Sequence, residues 1–235
     1  MSNILLIETA THICSIGVAV NGVVVTLRES CEQRSHAEMI TTFIKEVVHE
    51  AGLRYNEIDA VAVSKGPGSY TGLRIGVSTA KGICYALDKP LIAYDTLEAM
   101  SIGFLMENKD KIVSDDLLCP MLDARRMEVY TELFDSSGKR LHPVEAVIID
   151  EDSYNDLLEE KRIWFFGDGA SKCQQYLSNR KNANFVENLF PSVKYGAKIC
   201  EESFQLNNFE DLAYFEPYYL KDFIAGIPKV KGLYS

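Results

Sequence analysis

The sequence predicts an α/β protein of two lobes, each a mixed β-sheet flanked by helices. Three observations carry this. The chain opens with an antiparallel meander and then switches to a strand, a glycine loop and a long helix between Ile58 and Asp88. After the polar run Asn108 to Asp116 the second half starts as the first did, so that a strand ends on an acid and meets an antiparallel strand twice, at Glu8 and at Asp123. At 235 residues and 47% hydrophobic composition there is enough chain for one large domain or two small ones. The boundary predicted is 1–107 for an N-terminal lobe and 108–235 for a smaller C-terminal lobe with a tail.

In order, Ile4 to Ile7 and Ser15 to Val20 are apolar strands, and Asn21-Gly22 turns the chain into a third, Val23 to Leu27. Ser35-His36-Ala37-Glu38 is a capping box that opens a helix ending near Gly52. Its apolar positions, Met39, Ile40, Phe43, Ile44, Val47, Val48 and Ala51, form two adjacent stripes, one for the sheet and one for a second helix. Pro90 to Ala93 is a strand, and Asp95-Thr96-Leu97-Glu98 caps a helix to about Glu107. Leu117 to Leu122, Val129 to Phe134, a strand near Val147 to Ile149, and Ile163 to Phe166 build the second sheet. Short helices are predicted at 153–160, 171–177 and 197–206, and the tail 221–235 has no periodicity.

The chain is organised around Ser64 to Asp88. The strand ending at Ser64 is broken by Lys65-Gly66-Pro67-Gly68-Ser69, and a helix follows from about Thr71 to Leu87. Gly72, Gly76 and Gly82 lie inside it, although each glycine in a helix costs about 1 kcal/mol relative to alanine. Gly72, Gly76, Ala80 and Cys84 recur every fourth position, so one face is a ridge of small side chains that another backbone can approach closely. Three readings stand: packing inside the domain, a seat for a helix of another chain, and a phosphate cradle aided by Arg74. No Gly-x-x-x-x-Gly-Lys-Ser/Thr run supports the last.

The run GPGSYTGLRIG followed by STAKGICYAL resembles the hallmark segment of the TsaB family, also called YeaZ, and DARRMEVY, Asp123 to Tyr130, is similar to that family's second hairpin. The acid and small hydroxyl residues of the first turn, Glu8-Thr9-Ala10-Thr11-His12, resemble the phosphate hairpin of actin-like ATPases, where the acid is usually aspartate. The resemblance implies an actin-like (RNase H-like) fold with a vestigial nucleotide site at Glu8, Asp123, Gly167 and Gly169. Read from the residues alone, Glu8 is equally a turn acid and Gly167-Asp168-Gly169 a common turn. The resemblance further implies a non-catalytic subunit for N6-threonylcarbamoyladenosine at position 37 of tRNA. Its partners would be the catalytic subunit TsaD and the ATPase TsaE, and it would pair with itself when alone. The interface expected is His36, Met39, Ile40, Phe43, Tyr70, Gly72, Leu73, Gly76, Val77 and Ala80, with no cofactor of its own and ATP handled in the complex.

Composition sets limits on rival functions. A formal charge of −10 and a pI near 5.0 oppose an independent grip on nucleic acid, so tRNA would be reached through the complex. Six cysteines without Cys-x-x-Cys spacing read as reduced thiols of a cytoplasmic protein. No apolar run reaches the ~18 residues of a membrane span. The histidines at 12, 36, 49 and 142 form no His-x-x-x-His pair for a metal, and no Gly-x-Ser-x-Gly elbow marks a hydrolase. A small-molecule kinase or ATPase using Glu8, Asp123 and 167–169 remains as the rival, with a peptidase behind it.

Overall fold

The computed structural model describes residues 1–31 and 36–221, so Ser35 of the expected capping box and the tail 222–235 lie outside the described residues. The first sheet contains β1 (Asn3–Glu8), β2 (Cys14–Val20), β3 (Val23–Ser30), β4 (Ala60–Gly66) and β5 (Leu91–Asp95), in the order β3-β2-β1-β4-β5. Strands β1, β2 and β3 pair antiparallel, whereas β1, β4 and β5 are parallel. The second sheet contains β6 (Leu117–Asp123), β7 (Glu128–Thr131), β8 (Phe134–Asp135), β9 (Glu145–Ile148), β10 (Ile163–Phe166) and β11 (Ala183–Val186). Its order, β9-β7-β6-β10-β11 with β8 beside β6, repeats the first sheet strand for strand. The internal repeat suggested by Glu8 and Asp123 is therefore one of topology.

Helices fill the spaces in five layers. Helices α1 (His36–Glu50) and α2 (Tyr70–Leu87) cover the outer face of the first sheet, where Met39, Ile44, Val48 and Val77 meet Leu5, Ile7 and Val63. Helices α3 (Thr96–Asn108) and α6 (Val193–Gln205) lie between the two sheets, and their core joins Ile4 and Leu6 to Leu118 and Phe166. Helices α4 (Asn155–Glu160) and α5 (Ala170–Leu177) close the far face of the second sheet over Cys119 and Phe165. Strand β1 alternates Ile4 and Leu6 into one core with Leu5 and Ile7 into the other, so a strand buried on both faces needs an unbroken apolar run. This is the actin-like architecture, two mixed sheets flanked by helices.

The expected division at residue 107 separates the sheets but not the packing. From Val193 the chain returns to the first lobe: Val193 N–H donates to Ser15 Oγ at 3.1 Å, and Gly196 lies against the ring of Tyr94. Beyond α6 it runs as a strap, with Glu210 N–H to Leu91 O at 2.9 Å and Tyr218 N–H to Lys65 O at 2.8 Å. Leu212 and Phe215 of the strap pack against the core under α1 and α2. Locally, three expectations change. The strand Val129 to Phe134 is split into β7 and β8 around Glu132, which is buried and paired with Arg140. Strand β11 carries no alternation strong enough to have been read. Asp95 precedes α3 without capping it, because Lys65 and Arg140 both lie within 3.3 Å of its carboxylate.

Candidate partner interface and the turns between the lobes

Helix α2 is set by its ends. Ser69 accepts the N–H of Gly72 at 3.2 Å as N-cap, and Asp88, in the left-handed region at φ 53°, stops the helix before Pro90. The ridge Gly72, Gly76, Ala80 and Cys84 is buried, and it faces this chain's own sheet. A Cβ at Gly72 would overlap the carbonyl oxygen of Thr9, and one at Gly76 would overlap Thr9 Oγ1. The glycines are thus required by close approach of the β1–β2 turn, which corrects the expectation that a partner's helix sits on them. Leu73, Val77, Met39 and Ile40 are also interior, leaving His36, Phe43 and Tyr70 half-buried among the ten residues expected at the interface. His36 is held by a 2.7 Å hydrogen bond between its Nε2 and Thr11 O.

The opposite face of α2 is open. Arg74, Ser78, Gly82 and Ala86 form a second four-residue row, displaced two positions from the first and so about 200° around the helix. All four are exposed, and a Cβ at Gly82 would meet nothing within 4 Å. An open depression of ≈ 380 Å³ lies here, lined by Tyr55, Ser78, Thr79, Gly82, Ile83, Ala86 and Leu87. Tyr85 stands beside it at 83% exposure. The row was visible in the sequence. The more glycine-rich ridge obscured it.

The residues expected at a nucleotide site divide between the lobes. Glu8, at the end of β1, is 1% exposed, and its carboxylate accepts from Ser64 Oγ and Ala10 N–H, each at 2.7 Å. Burial outweighs these bonds and raises its pKa to about 7. The loop Gly66 to Ser69 closes over the turn, with Ser69 N–H to Ala10 O at 2.6 Å and Gly68 against Ala10. Glu8 therefore faces its own chain and not a ligand cleft. Asp123, in the matching position of the second sheet, is exposed and accepts from Arg125 N–H at 2.8 Å and from Lys172.

Gly167 and Gly169 serve packing, since a side chain at either would overlap the backbone of Met121 or Leu122, and Gly167 has φ 104°. Between them Asp168 accepts Asp123 N–H at 3.0 Å and faces His12 Nδ1 across the lobes at 3.9 Å. Asp123, Gly167 and Gly169 are thus brought together, whereas the hydrogen-bond partners of Glu8 all belong to the first lobe. Among the described residues no group of three or more His, Cys, Asp or Glu is placed to hold a metal, and no helix is long and apolar enough to cross a membrane. All six cysteines are unpaired thiols.

A family model described as "TsaD: tRNA N6-adenosine threonylcarbamoyltransferase" matches residues 29–233. The tRNA threonylcarbamoyladenosine biosynthesis protein TsaB of Haemophilus influenzae is 34% identical over 128 residues, 54% of this chain and 51% of that protein, so the match spans about half the relative's length. TsaB of Buchnera aphidicola is 27% identical over 218 residues, 88% of this chain and 96% of that protein. Among solved structures, a Pseudomonas aeruginosa protein described as similar to peptidase YeaZ superposes with a TM-score of 0.79 at 21% identity, over 94% of this chain and 100% of that one. At that identity the likeness is one of fold.

Proposed function

We infer that this chain, which belongs to the TsaD family and within it to the TsaB (YeaZ) family, is a non-catalytic subunit of the complex that makes N6-threonylcarbamoyladenosine at position 37 of tRNA. Its task in this reading is to bind and support the catalytic subunit TsaD, with the ATPase TsaE as a further partner and a homodimer when TsaD is absent. The protein works in the cytoplasm, reaches tRNA through the complex, and leaves ATP to the other subunits. The observation that carries the docking role is the outward row of α2, where Gly82 is open and Tyr85 is bare. A helix bearing Arg74, Ser78, Gly82 and Ala86 on one side can be approached to short interaxial distance. The outward positions of α1 beside it, Thr41, Thr42 and Lys45, are small or flexible and exposed.

The rival reading, a kinase or ATPase acting alone, needs an acid open to metal and phosphate, and Glu8 is enclosed and hydrogen-bonded by its own lobe. The test is a bulky residue at Gly82. Gly82→Trp abolishes capture of TsaD by the full chain and leaves the thermal midpoint within a few degrees, because the ring projects into solvent. Retained capture removes the outward face of α2 from the interface. ATP hydrolysis by the purified chain, lost on Glu8→Gln, restores the enzyme reading.

A further inference from the structure

The DARRMEVY hairpin is not used by the docking face, and its tip is unusual on two counts. Each other described arginine has its guanidinium engaged: Arg28 by Glu46 and Glu50, Arg54 by Glu57, Arg74 by Tyr219, Arg140 by Asp95, Arg162 by Asp116 and Arg180 by Glu151 O. Arg125 and Arg126 are exposed, and neither guanidinium has a partner among the described residues. Both also lie in the left-handed region, at φ 70° and 51°, in a turn closed by Ala124 N–H to Glu128 O at 3.1 Å. For a residue with a Cβ that backbone is disfavoured. At the β2–β3 turn, where two consecutive residues also take positive φ, the chain places Asn21 and Gly22, which suit it. Strain kept on two unpaired, bulky cations is a pointer to use.

Neighbouring charges leave the tip cationic. Asp123 is taken by Lys172, whose Nζ also reaches the carbonyls of Arg126 at 2.9 Å and Glu128 at 2.6 Å. Glu128 is taken by Lys221 at the end of the strap. Asp123 and Glu128, the carboxylates on the hairpin itself, are thus each paired with a lysine, which among the described residues leaves Asp168 as the one nearby acid without one. Two residues before Arg125, Asp123 N–H joins Asp168, which faces His12 of the first lobe, so the tip stands at the mouth between the lobes. We propose that Arg125 and Arg126 form a phosphate-binding tip, in which two free guanidiniums on a rigid turn take the oxygens of a phosphoryl group. Guanidinium forks match phosphate bidentately, and a local cationic point is what an otherwise acidic subunit would use. The phosphate is either an RNA backbone phosphodiester or a free polyphosphate. The RNA source rests on the function proposed above, and the polyphosphate source does not.

The test uses the double variant R125N/R126G, which removes both charges and places in the left-handed region the residues that favour it. It should melt no lower than the parent. In one arm, inorganic triphosphate is titrated into the full chain alone; in the other, an unmodified tRNA transcript is titrated into the chain assembled with TsaD. Loss of affinity of about tenfold in the first arm assigns a free polyphosphate. The same loss in the second, with the slope of log K against log salt shallower by about two, assigns the RNA backbone. Unchanged affinity in both arms, or no binding by the parent in either, overturns the proposal. So does loss of TsaD capture by the double variant, since the arginines would then be holding carboxylates of a protein partner. Capture by the parent and its loss on Gly82→Trp are scored separately, so failure of the docking face and failure of the tip are distinguishable.

Discussion

In the first sheet the connections into and out of the central parallel strand β4 carry α1 of 15 residues and α2 of 18; at the same places around β10 the second sheet carries α4 of 6 and α5 of 8. At 1.5 Å per residue α2 is about 27 Å long and α5 about 12 Å. The short helices are occupied with covering Cys119 and Phe165, whereas α2 seals its sheet with one row of small residues and leaves a second row exposed. The acids at the ends of the first strands diverge in the same way. Glu8 is enclosed and held up at a pKa near 7, while Asp123 remains exposed and paired with Lys172. One topology used twice has given two unlike lobes, and the difference lies in helix length and in which turn is buried.

The sharpest way to break this comparison is to add a methyl to each row of α2. Gly76→Ala forces a Cβ onto Thr9 Oγ1, and overpacking of this kind destabilises by about 3 kcal/mol in urea unfolding. A neutral result would mean that the β1–β2 turn yields easily and that the inward row is not required. Of similar size is the pH response of Glu8. Its folded pKa of about 7 lies above the ordinary 4.5, so the native state holds the proton longer and stability falls as pH rises from 4.5 through 7. Between those limits Glu8→Gln should gain about 3 kcal/mol on the parent. Glu132, also raised to about 7 by burial, leaves a slope of the same sign in both proteins. An identical pH profile for Glu8→Gln and parent would show that Glu8 is hydrated.

Smaller effects separate the remaining members. Gly82→Ala, in an open helix interior, should stabilise by about 1 kcal/mol, opposite in sign to Gly76→Ala on the face that meets Thr9. Asp123→Ala removes an exposed ion pair and should cost about 0.5 kcal/mol, well below the effect at Glu8. A small loss at Glu8→Gln, like that expected for Asp123→Ala, in place of a gain would erase the distinction between the lobes.

Much of this is legible in the sequence. Periodicity and caps located the six helices and most strands, because buried strands such as Ile4 to Ile7 and amphipathic helices such as α1 carry their environment in their pattern. The face that a glycine row presents is different. Gly72-Gly76 and Ser78-Gly82 have the same spacing, and only the position of Thr9, more than sixty residues away in sequence, decides which row is interior. The fate of Glu8 likewise depended on Ser64 and on the closure of Gly68 over Ala10, which are long-range contacts. The strap 207–221 had no periodicity to betray it. Lys81, which looks like a solvated helix lysine, holds it through the carbonyls of Ala213 and Phe215.

The central claim is that the outward face of α2, and not its counterpart in the second lobe, meets the catalytic subunit. It is tested most directly by cysteine footprinting in a chain whose exposed Cys31 is replaced by serine. Ser78→Cys on α2 and Ser171→Cys on α5 are both open to alkylation in the isolated chain. On adding TsaD, the thiol at 78 should become protected while the one at 171 keeps its rate. A thiol at 78 that reacts as fast in the complex as alone, or protection at 171 instead, would contradict the assignment.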